Sequence, residues 1–218
     1  MLAGLLIALA AGGGDELLVN GDFEAEASGD GRPVGWVFEL GAKNGATTPE
    51  SWVELDTKEK HGGKAALRLR GDESTRGWLV AKHEIPVCPG GEYELEAWAR
   101  TAGVQPNGFG LDNCYLGLFF FDAGGKVVGR ELVQPQRPDS PWAKQSVALT
   151  ADPSARKGYV YVFLSMLGEL WVDDLTLTIT GGERIPDPTL VWREDFTKTK
   201  RLGADWKKKV GATNGTGG

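Results

Sequence analysis

The chain has 218 residues, 41% hydrophobic and 25% charged, enough for one sizeable core and far from a disordered composition. Its 24 Lys and Arg against 30 Asp and Glu leave a net charge of −6 and no basic stripe, which argues against nucleic acid as a partner. With 32 glycines and 11 prolines set between short apolar runs, the composition points to an all-β build with many turns.

The opening "MLAGLLIALAAGGG", residues 1–14, is apolar but too short to span a bilayer. It reads as the apolar region of a signal peptide or a hydrophobic N-terminus, with a small-x-small site at Ala8-Leu9-Ala10, although no Lys or Arg precedes it. Export is therefore expected, to a secreted, extracellular, cell-surface or periplasmic location. In the next stretch, "VNGDFE", an Asn-Gly turn signal directly precedes Asp22; read as a strand, it sends Asp22 and Glu24 to one face and Phe23 to the other.

Short, often alternating runs then succeed one another: Leu17 to Glu24, Gly35 to Leu40, Trp52 to Asp56, Ala65 to Arg70 and Gly77 to Ile85. They continue with Glu92 to Arg100, Tyr115 to Asp122, Lys126 to Leu132, Ala143 to Thr150, Tyr159 to Met166 and Leu170 to Ile179. No ten-residue helical pattern interrupts them, so an antiparallel sandwich or barrel over residues 15–180 is predicted. In "EYELEAWAR", Tyr93, Leu95, Ala97 and Ala99 make the apolar face, which leaves Trp98 among Glu94, Glu96 and Arg100. Tyr115, Phe119 and Phe121, and likewise Tyr159, Tyr161 and Phe163, occupy faces that should meet water; a second packed layer would also explain them. Asp122 to Gly125 is a hairpin turn. Cys88 and Cys114 fall at opposite ends of a predicted hairpin across Thr101 to Asp112, beyond disulfide reach, so both are expected as buried free thiols. "TGGERIPDP" marks a linker at 181–189, and 190–218 reads as the truncated start of a second domain.

Catalytic patterns are scarce. The only histidines are His61 and His83, and there is no HExxH or GxSxG. "GFGLDN" lacks the third glycine of a dinucleotide fingerprint, and pairs such as Glu94 with Glu96 occur in any acidic β-protein. The acids at Asp22 and Glu24 and at Asp173 and Asp174 bracket the first and last strands, where they could clamp one hard cation; calcium accepts six to eight oxygens at flexible geometry. The alternative is that Asp22 caps a turn and the aspartates face solvent.

Taken in order, "LLVNGDFE", "HGGKAALRLRG", "IPVCPGGEYELEAWAR", "FFFDAGGKVVG", the Trp before "AKQSVALTADPSA" and "ELWVDDLTL" resemble the carbohydrate-binding modules of families 4, 9 and 22. The resemblance runs from Leu17 to Ile179 and implies an all-β antiparallel sandwich, a jelly roll of galactose-binding-domain-like topology. It also implies a structural calcium ion (Ca2+) held by side chains of Glu24 and Asp173, with carbonyls near Asp22, His61 and Lys64. It further implies a polysaccharide or oligosaccharide ligand on a concave sheet, stacked on Trp78, Trp98, Phe119 and Tyr161 with Glu96 and Arg100 as polar partners, while Trp36 and Trp142 pack. The tail "WREDFTKTKRLGADW" is similar to the opening of concanavalin-like domains. The reading that follows is a monomeric, non-catalytic sugar-binding module escorting an attached C-terminal domain. The alternatives are a sandwich that docks on a neighbouring domain without binding sugar, and an accessory region of a glycoside hydrolase or lyase.

Overall fold

The structure, a computed structural model, describes residues 17–25, 33–42, 52–73, 77–108 and 112–182. The leader at 1–14 and the second domain at 190–218, with nearly all of the linker before it, lie outside the described residues. Ten strands form, and the described residues contain no helix: β1 (Val37–Ala42), β2 (Val53–Asp56), β3 (Ala66–Gly71), β4 (Gly77–Ile85), β5 (Glu92–Gln105), β6 (Cys114–Phe121), β7 (Val127–Val133), β8 (Ser140–Thr150), β9 (Lys157–Leu164) and β10 (Leu167–Thr180). They make two five-stranded sheets, β1-β4-β9-β6-β7 and β2-β3-β10-β5-β8, in which every pairing is antiparallel.

Alternation decides which side chains meet between the sheets. The first sheet turns Leu79, Ala81, Leu116, Leu118, Phe120, Val160 and Val162 inward, and the second answers with Leu67, Leu69, Leu95, Ala97, Ala99, Leu170, Val172 and Leu177. All of these are buried. Tyr93 joins them with its hydroxyl satisfied: it accepts the Cys88 N–H at 2.7 Å and donates to Pro86 O at 2.8 Å.

Two expectations are corrected here. Leu17 to Glu24 is not a strand: Asn20 and Phe23 take φ of 58° and 54°, which folds the segment into turns. Asp22 and Glu24 therefore do not share a strand face. The segment still packs on the sandwich, through Leu17 N–H to Leu177 O at 3.1 Å and Leu175 N–H to Gly21 O at 2.9 Å. Likewise β5 and β6 are not a hairpin. Both edges of β5 are taken, by β10 and β8, so the chain crosses to the other sheet to start β6. Cys88 and Cys114 are nonetheless free and buried, and burial pushes the Cys114 thiol up to about 12, which leaves it inert. The β6-β7 hairpin forms as expected, with Asp122 Oδ1 accepting the N–H groups of Gly124 at 2.8 Å and Lys126 at 2.9 Å.

Candidate functional site

The outer face of the first sheet carries a continuous aromatic floor. Register places Tyr115 opposite Phe163, Phe119 opposite Tyr159 and Gly117 opposite Tyr161. Ring contacts run without a break: Trp78 to Phe163 at 6.2 Å, Phe163 to Tyr115 at 4.7 Å and 4° between planes, Tyr115 to Phe119 at 6.1 Å, Phe119 to Tyr161 at 4.8 Å. Tyr161 continues to Tyr159 at 6.0 Å, and Tyr159 to Phe121 at 5.8 Å. Most of these rings are half-buried, so edges and faces remain open. Burial holds the Tyr115, Tyr159 and Tyr161 phenols above their usual pKa, and like any phenol they carry their hydroxyl protons at neutral pH.

Polar groups line this floor. Lys82, opposite Tyr161 and beside Tyr159, donates to Glu39 of β1, and its ammonium lies 5.4 Å from the Tyr159 ring centre. Burial works against that charge, but the Glu39 bond and its negative charge outweigh it and raise the Lys82 pKa. Glu84 stands opposite Tyr159, and Arg130 of β7 stands opposite Phe119.

The six predicted sugar contacts do not share one face. Trp78, Phe119 and Tyr161 lie on this floor, whereas Trp98, Glu96 and Arg100 belong to β5 in the other sheet. There they are engaged by the chain itself. His61 stacks on Trp98 at 4.0 Å and 12°, and meets Trp142 edge-on at 5.7 Å. Trp142 Nε1 donates to Glu59 Oε1 at 2.9 Å, Arg100 pairs with Glu59, and Lys144 pairs with Glu96 at 2.7 Å. Trp171 lies between the guanidinium groups of Arg68 and Arg100, at 5.6 and 5.1 Å, and donates to Asp56 Oδ2 at 3.0 Å. These contacts latch the loop after β2 onto the second sheet, with Trp98, Glu96 and Arg100 each engaged by a neighbouring side chain. A single-residue alternation gives the side of a sheet but not the sheet, so the six residues divide between two sheets. Tyr115, Tyr159, Phe163, Lys82, Glu39, Glu84 and Arg130, not named as candidates from the sequence, share the face of Trp78, Phe119 and Tyr161; the rings were visible in the alternation, the charges only through register.

The residues named for a metal meet at one junction. Glu24 Oε1 accepts the N–H of Lys64 at 2.6 Å and of Ala65 at 3.3 Å; Asp173 Oδ2 accepts those of His61 at 2.9 Å and Gly62 at 3.0 Å. Gly63 is required here, because φ is +51° and a Cβ would run into the Glu24 carboxylate. The side chain of Asp22 points to its own turn, accepting Glu24 N–H at 3.2 Å, and the His61 ring goes to Asp174 Oδ2 at 2.7 Å rather than inward. Asp173 is 1% exposed, its pKa is raised by burial against three amide bonds, and it makes no ion pair with a basic side chain among the described residues. The Lys64 amide holds Glu24 below the usual carboxylate range. No three His, Cys, Asp or Glu side chains converge among the described residues, so a shell would need backbone carbonyls as well. Asp173, buried with amide N–H groups but no basic side chain as partners among the described residues, and Glu24, held by the same loop, are hard oxygen donors of the kind a divalent cation such as calcium takes.

No protein-family model and no curated protein matches the chain. Solved structures do. The CBM22-1 xylan-binding domain from Paenibacillus barcinonensis Xyn10C is 18% identical over 78% of this chain and 97% of its own, at TM-score 0.50. The Stig cyclase Fisc from Fischerella sp. TAU is 18% identical over 78% of this chain and 100% of its own, at 0.52. The enzymatically active domain of bacteriophage CBA120 tailspike protein 4 aligns at 13% identity and TM-score 0.55, covering 76% of this chain, which spans only 21% of that one. The fold is thus the jelly-roll β-sandwich found among carbohydrate-binding modules, and the same fold serves a xylan binder and a cyclase, so function must be argued from the site.

Proposed function

We propose that this chain is a non-catalytic module that binds a neutral polysaccharide on the aromatic floor of the first sheet, within an exported protein carrying a further C-terminal domain. The observation that supports it is the unbroken row from Trp78 through Phe163, Tyr115, Phe119, Tyr161 and Tyr159 to Phe121 on one outer face. Such rings accept the C–H faces of successive sugars, and the three phenols and Lys82 supply hydrogen bonds to hydroxyls. Lys82 is balanced by Glu39, which favours a neutral glycan over an anionic one. Soluble xylan and mixed-linkage β-glucan, titrated into the full chain by calorimetry, test this. Tyr161→Ala should weaken binding about tenfold, roughly the 1.4 kcal/mol of one lost stacking contact. The phenylalanines on the floor, which lack hydroxyls, favour a second reading in which the face docks on a neighbouring domain; absence of binding by the wild type to both glycans would select it.

We also propose a calcium ion at the junction of the first segment, the loop after β2 and the bulge of β10, with Glu24 and Asp173 as its carboxylate ligands and carbonyls around Asp22, His61 and Lys64 completing the shell. Its role is structural. Backbone strain supports it: the described non-glycine residues with positive φ are Asn20, Phe23 and Asp174, and all lie in the two acidic segments. Asn and Asp tolerate this region, but for Phe23 it costs about 1–2 kcal/mol, which persists only where something overrides it.

A further inference from the structure

Trp78 stands opposite Gly41 in the β1-β4 ladder, and β1 is an edge strand of the first sheet. A Cβ built on Gly41 would fall inside the indole, whose nearest atoms are Cε2, Nε1 and Cδ2. Cε2 and Cδ2 form the bond shared by the two rings, so the indole lies on Gly41 by its face and not its edge. Gly41 is not in the left-handed region, and β1 is ordinary strand, so backbone conformation does not demand a glycine there. Space does. Toward β9, Trp78 also lies within 24° of the Phe163 plane, so the first two rings of the floor are nearly parallel.

We propose that Gly41 is a positioning residue for the sugar-binding floor: its missing side chain lets Trp78 lie flat across β1, with the opposite face of the indole turned outward to stack on the apolar face of a sugar ring. The proposal rests on the glycan-binding reading above. An aromatic laid over a strand glycine also shields an edge strand, a purely structural role, and the test has to separate the two.

Calorimetry with soluble xylan and soluble mixed-linkage β-glucan is run on the full chain as wild type, Gly41→Val, Trp78→Ala and the double variant. Gly41→Val should weaken binding about tenfold or more, as should Trp78→Ala, and the double variant should bind no more weakly than Trp78→Ala alone. Gly41→Ala, which adds one methyl group, serves if Gly41→Val does not fold. Unchanged affinity in the glycine variant, or an equal further loss in the Trp78→Ala background, overturns the proposal. If the wild type binds neither glycan, the functional reading fails instead, and the positioning is decided by proton NMR. Gly41 α-protons under the indole should be shifted upfield and return downfield in Trp78→Ala. Resonances that do not move would overturn it independently of any sugar.

Discussion

His83 shows how a single buried side chain carries a pH dependence. It is 6% exposed, its Nε2 accepts the Val19 N–H at 3.1 Å, which leaves the proton on Nδ1, and its ring meets Trp36 edge-on at 5.4 Å. Burial lowers its pKa below the ordinary 6.5, with the neighbouring Glu84 pulling weakly the other way. The native state therefore holds a neutral imidazole while the unfolded chain takes up a proton, so the unfolded state binds more protons below about pH 6.5. Stability from the neutral form is complete above that pH and is lost as pH falls toward the native pKa. Melting temperatures measured from about pH 7.5 to 5.5 should fall for the wild type and fall less for His83→Gln, whose amide oxygen still accepts the Val19 N–H. Equal slopes would remove His83 as the cause. Nothing in the sequence announced this: "AKHEIP" is a plain alternation, and only the packing of the first segment over β4 makes His83 an acceptor.

At the scale of elements, the two outer faces do opposite things with the same residue types. On the second sheet the indole N–H groups of Trp142 and Trp171 each donate to a carboxylate, and the ring surfaces of Trp98 and Trp171 are taken by His61, Arg68 and Arg100. On the first sheet the rings touch chiefly one another. Trp171→Ala should therefore cost about 3 kcal/mol of stability, read in urea unfolding, because a nearly buried indole leaves a cavity and strips two guanidinium groups of their platform. Its glycan affinity should stay within about twofold. Trp98→Ala should cost roughly 1–2 kcal/mol with the same sparing of affinity, since it is only half-buried. A large loss of sugar binding in either variant would return the second sheet to the site. Strand positions were readable because half-buried antiparallel strands keep a period of two, and β4 was read to the residue, Gly77 to Ile85. Sheet membership was not readable. The rows Trp98 with Arg100 and Phe119 with Tyr161 follow the same alternation, and a crossover after β5 separates them. Asn20-Gly21 signalled a turn, but its continuation through Phe23 escaped because a positive φ at a buried phenylalanine has no pattern in sequence.

Across the whole molecule, the junction between the first segment, the loop after β2 and the end of β10 ties parts of the chain over a hundred residues apart, as in His61 N–H to Asp173, separated by 112 positions. If a calcium ion sits there, it binds the folded chain and not the unfolded one, in which Glu24 and Asp173 are independent. Stabilisation then follows mass action, about 2.7 kcal/mol at a hundredfold excess over the dissociation constant. In a domain of this size that is roughly 5–10 °C in melting temperature. The wild type should lose that much in EDTA and recover it with excess calcium. Magnesium should restore less, because it demands a tight octahedron that two carboxylates and loop carbonyls do not supply. Glu24→Gln should start lower and show no response to either chelator or calcium. A melting curve that EDTA leaves in place would mean that the five amide groups of His61, Gly62, Lys64, Ala65 and Asp174 hold the carboxylates without an ion. The strain at Phe23 would then need another source of compensation, with the buried Asp173 carboxylate solvated by backbone alone.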